Sequence, residues 1–171
     1  SGGAAVKQIP LTQGKFALVD DEDYDFLMQW KWHINKGGYA VRIKHLKKTN
    51  NYCERKAFYM HREIMKTPDG LYTDHINGSG IDNRKENLRV CSNRENSYNS
   101  SSHKGTSSKF KGVSWYKRDK KWQVQISLNG KQTLVGRFFS EEDAARAYNS
   151  MALKFYGTFA RLNKIEEKKR G

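Results

Sequence analysis

Tyr72-Thr73-Asp74-His75-Ile76-Asn77-Gly78-Ser79-Gly80-Ile81-Asp82-Asn83-Arg84-Lys85-Glu86-Asn87-Leu88-Arg89 is where groups able to hold a cation or move a proton crowd together. Asp74 and His75 end the short extended run Leu71-Tyr72-Thr73. Neighbours on a strand point to opposite faces, so one of the pair can hold a cation while the other faces substrate. Asn77-Gly78 and Asp82-Asn83 are loop-forming pairs, so Asn77, Asp82 and Asn83 read as residues that bond their own backbone. Arg84 and Arg89 read either as phosphate holders or as internal salt-bridge partners, and Glu86 as a surface residue.

Downstream, Ser92 and Glu95 have capping-box spacing and predict a helix from about Asn93. Asn96 and Asn99 then fall one turn apart on one face. A strand carrying Asp74, packed against a helix carrying Asn96, offers two hard oxygen ligands with open positions. That donor set suits Mg²⁺ (or Mn²⁺), which keeps waters and takes phosphate readily, and it leads us to expect no zinc. Upstream stands Met60-His61-Arg62; His61 and His33 read as packing or capping groups rather than ligands.

Together, Met60-His61-Arg62, Asp74-His75, Asn83-Arg84, Glu86-Asn87-Leu88-Arg89 and Asn96 resemble the HNH endonuclease family of the ββα-metal fold. The variant they resemble is that of phage and intron-encoded homing endonucleases, over about Met60 to Asn99. The resemblance implies that His75 is the general base for the attacking water. It implies that Asp74 and Asn96 bind the divalent ion at the scissile phosphate, and that Asn87 braces the loop that aims His75. Many members have His where this chain has Asn96, which favours Mg²⁺ or Mn²⁺ over zinc or nickel; Asn99 is a possible substitute ligand.

The region before the motif reads as antiparallel β structure. Phe16 to Val19 is a predicted strand, followed by an acidic stretch from Asp20 to Asp25. Trp30, Trp32 and Ile34 alternate before Lys36-Gly37-Gly38, and Tyr39 to Ile43 resumes, a hairpin signal. Lys44 to Lys48 reads as an exposed basic loop, Asn50-Asn51 as a turn, and Cys53 to Met60 as a strand.

After a serine-rich stretch read as a flexible linker over 100–109, the pattern changes. Trp122, Val124, Ile126 and Leu128 alternate with Gln123, Gln125 and Ser127, as in a half-buried strand. Asn129-Gly130 predicts a tight turn, and Ser140 with Asp143 a helix start. Ala144, Tyr148, Met151, Ala152 and Phe155 fall on one helical face, closed by Gly157. Lys111-Gly112-Val113, Trp122, Gly136-Arg137-Phe138, the stretch from Ala144 to Tyr148, and the run from Gly157 to Asn163 resemble the plant Apetala/ethylene-response-factor DNA-binding domain. In that family the sheet enters the major groove.

Here the acidic helix start, Glu141 to Asp143, would repel phosphate. The sheet face would present Gln123, Gln125, Ser127 and Gln132, with Lys111, Ser114, Tyr116, Lys117 and Arg118 nearby, as DNA-contacting groups. Positions that carry arginine in the plant domains are Ser114, Tyr116, Ser127 and Gln132 here, so base preference should differ. Trp115 and Trp122 are assigned to the core.

The expected fold class is therefore α+β. A ββα-metal HNH nuclease domain preceded by an antiparallel β region occupies 6–99. A linker (100–109) leads to a three-stranded antiparallel sheet plus one helix at 110–163, resembling the ethylene-response-factor domain. A formal net charge of +14, from 32 Lys+Arg against 18 Asp+Glu, fits a polyanion partner, here double-stranded DNA. Cys53 and Cys91 stand apart without a metal-knuckle or disulfide pattern. With no membrane-spanning run, the expected location is the cytoplasm of a bacterial host cell, as a monomer or homodimer. The expected function is site-directed, metal-dependent hydrolysis of DNA phosphodiesters. The alternatives are a sequence-specific DNA-binding regulator on an inactive HNH fold, or an RNA-directed protein.

Overall fold

The computed structural model describes residues 5–49, 52–100 and 107–166. The Asn50-Asn51 turn and most of the expected linker lie outside them. The chain divides into two compact units, Ser1–Asn96 and Ser97–Gly171.

In the first unit, β1 (Val6–Pro10) pairs antiparallel with β2 (Phe16–Asp20). The acidic stretch forms a short helix, α1 (Asp21–Leu27), with Asp21, Glu22 and Asp23 in its first turn, where the helix dipole favours negative charge. Trp32 is buried and donates its indole N–H to the Leu27 carbonyl at 2.8 Å, which stops the chain from continuing the helix direction.

The hairpin predicted around Gly37-Gly38 is present. β3 (His33–Ile34), β4 (Ala40–Thr49) and β5 (Tyr52–Tyr59) form a three-stranded antiparallel sheet with β4 in the centre. Trp30 and Trp32 precede β3 rather than alternate within it. The segment 44–48, expected as a loop, is instead strand, because β5 supplies a backbone partner for it out to Thr49.

Next comes α2 (Met60–Met65), which buries Met60, His61 and Ile64. Then β6 (Tyr72–His75) and β7 (Leu88–Cys91) pair antiparallel, and α3 (Asn93–Tyr98) follows. Ile9, Ala17, Val19, Leu27, Trp32, Ala40, Met60, Ile64 and Leu88 form the core. Each of its large aliphatic side chains gains roughly 1.5–3 kcal/mol on burial.

The loop between β6 and β7 is fixed to β2. Leu18 donates its N–H to the Ile81 carbonyl at 2.9 Å, and its carbonyl accepts from the Asn83 N–H at 2.8 Å. Gly80 lies so close to the β3–β4 turn that a Cβ there would sit 2.5 Å from the Gly38 carbonyl oxygen and 2.7 Å from the Tyr39 ring.

In the second unit, β8 (Val113–Tyr116), β9 (Lys121–Leu128) and β10 (Lys131–Phe138) form an antiparallel sheet with β9 central. Asn129 and Gly130 take positive φ (52° and 79°) at the tight turn expected of them. Across one face of the sheet packs α4 (Glu141–Tyr156), capped by the Ser140 hydroxyl, which accepts from the Asp143 N–H. The helix buries Ala144, Ala145, Tyr148, Ala152 and Tyr156. Phe155, expected inward, is 44% exposed, because the 3.6-residue period carries the buried stripe from Ala152 to Tyr156.

The division after Asn96, rather than at Asn99, has a physical cause. The Tyr98 ring stacks on Tyr156 at 4.0 Å and joins the second core. Ser108 also belongs to this unit: it is buried and donates to Glu141 while accepting from the Phe110 N–H. Among the described residues no helix is long and apolar enough to cross a membrane.

Candidate active site

Asp74 and His75 sit side by side on β6, both buried, opposite Arg89 and Leu88 of β7. Asp74 Oδ2 accepts from Arg89 Nε at 2.9 Å and Nη2 at 2.7 Å. Arg89, for which a phosphate contact or an internal ion pair was open, thus lies on Asp74. The carboxylate position is one that already accepts positive charge.

His75 Nε2 lies 3.1 Å from Asn83 Oδ1, and the Asn83 amide nitrogen faces the Met60 sulfur at 3.5 Å. In the Nε2–H tautomer this contact is a hydrogen bond from the imidazole to the amide oxygen, and Nδ1 carries the lone pair. Asn83 has no exposed surface. The expectation that it merely serves its loop is corrected: its backbone N–H is used by Leu18, and its side chain orients the histidine. Burial lowers the pKa of His75, opposed by the Asn83 hydrogen bond and by the nearby Asp74 and Asp82 carboxylates.

His61 also belongs to this cluster. Its ring meets that of His75 edge-on, with centroids 4.9 Å apart, and the Tyr39 ring lies 5.5 Å from His61 and 5.7 Å from His75. Burial, then the neighbouring His75 and Arg62, push the His61 pKa down to about 3. Sequence reading placed His61 as a packing group and missed its contact with His75. Its position at the start of a buried helix turn was the available signal.

Asn87 locks the loop from inside. Its Oδ1 accepts from the Asn77 N–H at 3.0 Å, and its Nδ2 donates to the Asp82 carbonyl at 2.8 Å and to Asn77 Oδ1 at 3.1 Å. Asp82 binds Arg84 through both carboxylate oxygens at 2.8 Å, and Arg84 also pairs with Glu86. The Arg84 hydrogen bonds hold the Asp82 carboxyl below its usual pKa. The internal pairing that was one reading of Arg84 is present beside the DNA contact expected of it, and its charge is matched within the loop.

Asn96 is half-buried in α3, whose first turn has the expected capping box: Glu95 Oε2 accepts from the Ser92 N–H and hydroxyl, both at 2.8 Å. The Cys91 thiol is pushed up by burial, and it feels the carboxylates of both Asp74 and Glu95, so the start of α3 shares the electrostatic neighbourhood of Asp74. Asn99 lies beyond the helix, buried in the second unit. Among the described residues no three His, Cys, Asp or Glu side chains converge on one point. A divalent ion at Asp74 would therefore complete its coordination with amide oxygen, water and phosphate, a donor set that Mg²⁺ accepts.

In the second unit, the sheet face opposite α4 aligns Ser114–Gln123–Arg137, Gln125–Leu134 and Ser127–Gln132 across the strands. Gln125 and Gln132 are exposed and Gln123 is half-buried. Arg137, not anticipated on this face, reaches it through a bulge between Leu134 and Gly136, and its guanidinium lies 4.0 Å from the Tyr116 ring centre. Lys117 and Arg118 are exposed beside it. Lys111, expected near the DNA-contacting groups, is half-buried and donates to the Tyr98 carbonyl at 2.7 Å, and burial pushes its pKa down to about 8. Trp115 is 39% exposed at the margin of the core face, edge-on to Trp122.

An uncharacterized HNH endonuclease of Acanthamoeba polyphaga mimivirus is 31% identical over 160 residues, covering 90% of this chain and 78% of the relative. Protein 3.8 of Escherichia phage T7 is 38% identical over 65 residues, which span 38% of this chain and 54% of that protein. APETALA2-like protein 2 of rice, Oryza sativa, is 42% identical over 57 residues, 33% of this chain but only 13% of the plant protein. No family model and no solved structure matches the chain.

Proposed function

Since the chain belongs to the HNH endonuclease family, we propose that it is a metal-dependent DNA endonuclease that cuts at sites selected by the exposed sheet face of its second unit. The observation that carries this reading is the held imidazole: His75 is buried beside Asp74, and Asn83 fixes its Nε2.

In this reading His75 Nδ1 takes the proton from the attacking water while Nε2–H stays on Asn83, so the ring need not turn during transfer. Asn87 keeps the loop that carries Asn83 closed. Asp74 and Asn96 would hold Mg²⁺ (or Mn²⁺), which when bound neutralises charge at the scissile phosphate and the leaving oxygen. Arg89, already on Asp74, is placed to pair with phosphate when the carboxylate turns to the ion. Gln125 and Gln132 can read base edges, with Lys117 and Arg118 on phosphates. The ββα-metal arrangement fits the order β6, β7, α3. A homing role in a phage or mobile element suits relatives encoded by a giant virus and a phage.

The test is incubation of the protein with long duplex DNA in Mg²⁺ or EDTA, followed by mapping of the ends. Discrete cuts should appear only with Mg²⁺. His75→Ala should slow them by about 10²–10⁴-fold, the range for a lost general base, with DNA affinity nearly unchanged. Tight, salt-sensitive binding without any cut would replace this reading with a DNA-binding regulator.

A further inference from the structure

The β4–β5 ribbon is the part of the first unit that the core does not need. From Ile43 to Leu46, and from Glu54 to Ala57, every residue is exposed, on both faces of a two-stranded ribbon. Among the described side chains, the core takes Ala40 and Val41 from the base of β4 and nothing from Ile43 to Leu46 or Glu54 to Ala57. A bare two-stranded ribbon is marginal in water, so its extension calls for a reason outside the fold.

Its charge supplies one. Between positions 42 and 56 stand Arg42, Lys44, Lys47, Lys48, Arg55 and Lys56 against Glu54. Lys44 lies directly opposite Lys56, and His45 directly opposite Arg55. Like charges facing each other across strands destabilise a pair, which makes the Lys44–Lys56 pair a cost to the isolated protein. At the base, Arg42 is held between the Trp30 and Phe58 rings, 4.2 Å from each, and is paired to Glu63 at 3.1 Å. That brace fixes the ribbon's root. An open groove of about 550 Å³, lined by Trp30, Lys31, Arg42, Ile43, Lys44 and Phe58, leads onto the Lys44 face.

We infer that the β4–β5 ribbon is a second DNA-binding element, laid in the major groove of duplex DNA with Lys44 and Lys56 facing phosphates on one side and Arg55 on the other. The B-form major groove admits a two-stranded β-ribbon, whereas the deep, narrow major groove of duplex RNA does not. Phosphates between the opposed lysines turn the repulsion of the free protein into attraction in the complex. This assignment rests on the reading of the chain as a protein that acts on duplex DNA.

The experiment measures binding of the whole chain to a duplex oligonucleotide in EDTA across a salt series, for the parent and for Lys44→Gln/Lys56→Gln. Removing two phosphate contacts should weaken binding by about tenfold or more at low salt and flatten the log–log salt slope by about two. The melting temperature should hold or rise as the repulsion is removed, which separates lost binding from lost folding. Arg55→Gln should flatten the slope by about one.

An unchanged slope with both variants, or no duplex binding by the parent, would overturn the assignment. So would equal or tighter lysine-dependent binding to duplex RNA, to single strands or to anionic lipid vesicles. Because the assay runs without metal, absence of Mg²⁺-dependent cleavage by the parent bears on the nuclease reading alone.

Discussion

Asn83 does at the residue scale what the middle of a hydrogen-bond chain must do: it accepts from a histidine while its own position is set by backbone it did not grow from. Replacing it with Ala removes the Nε2 partner and leaves a buried imidazole N–H unsatisfied, costing about 1–3 kcal/mol of stability. The His75 tautomer is then no longer fixed, and cleavage should fall by about tenfold or more, read by end mapping beside a melting curve. Its sequence neighbours announce only a turn. Nothing in Asp82-Asn83-Arg84 shows that β2, more than sixty residues earlier, will bury it.

His61 carries a second residue-scale consequence. Its pKa is depressed from 6.5 to about 3 in the folded chain, so below pH 6.5 the unfolded state takes up a proton that the folded state refuses. Stability contributed by the neutral ring is complete above pH 6.5 and falls by about 1.4 kcal/mol per pH unit as pH drops toward 3. Denaturant unfolding of the first unit should therefore weaken between pH 7 and 5, and His61→Phe should flatten that slope. A slope unchanged by the substitution would place the proton uptake elsewhere.

At the scale of elements, the loop between β6 and β7 functions as a clamp whose two jaws are legible to different degrees. Asn87 is expected as a brace on the family resemblance alone, and its bonds run to the Asn77 N–H and the Asp82 carbonyl within the loop. Gly80 was not legible, since its φ is unremarkable and only the approach of the β3–β4 turn forbids a side chain there. Gly80→Ala should push the loop off Gly38 and Tyr39, and overpacking of this kind costs about 1–3 kcal/mol. Tyr39 lies against the His75 ring. Cleavage should therefore fall further than the stability loss alone explains, seen as reduced turnover at a temperature where the variant is still folded.

Other elements show why patterns fail locally. Alternation and the Asn129-Gly130 turn fix the pairing of β9 and β10 as far as Gln125 and Leu134. The bulge after Leu134 then shifts the phase and delivers Arg137 to the face. A bulge leaves no mark in the hydrophobic pattern. Lys44 to Lys48 misleads in the opposite way: cationic composition reads as loop, while strand pairing with β5 is what the backbone adopts.

For the whole molecule, the proposed reading puts chemistry and selection in different units. His75, Asp74 and Asn83 lie in the first unit, and Gln123, Gln125, Gln132 and Arg137 in the second, each unit with its own core. A side chain that reads a base edge changes which sequence is bound, whereas one that touches phosphate weakens all sequences alike. Gln125 stands exposed in the middle strand, with no acidic partner across from it, only Leu134. Gln125→Ala should therefore redistribute the positions cut in a random-sequence duplex library while leaving the single-turnover rate at a bound site within about twofold. A good base contact carries about 1–3 kcal/mol of discrimination, so enrichment at the affected position should change by roughly five- to a hundredfold. His75→Ala should do the reverse, leaving the bound sequences of the same library unchanged while the cuts disappear. If Gln125→Ala instead lowered binding to every sequence equally, the sheet face would be holding backbone, and selection would have to come from the first unit.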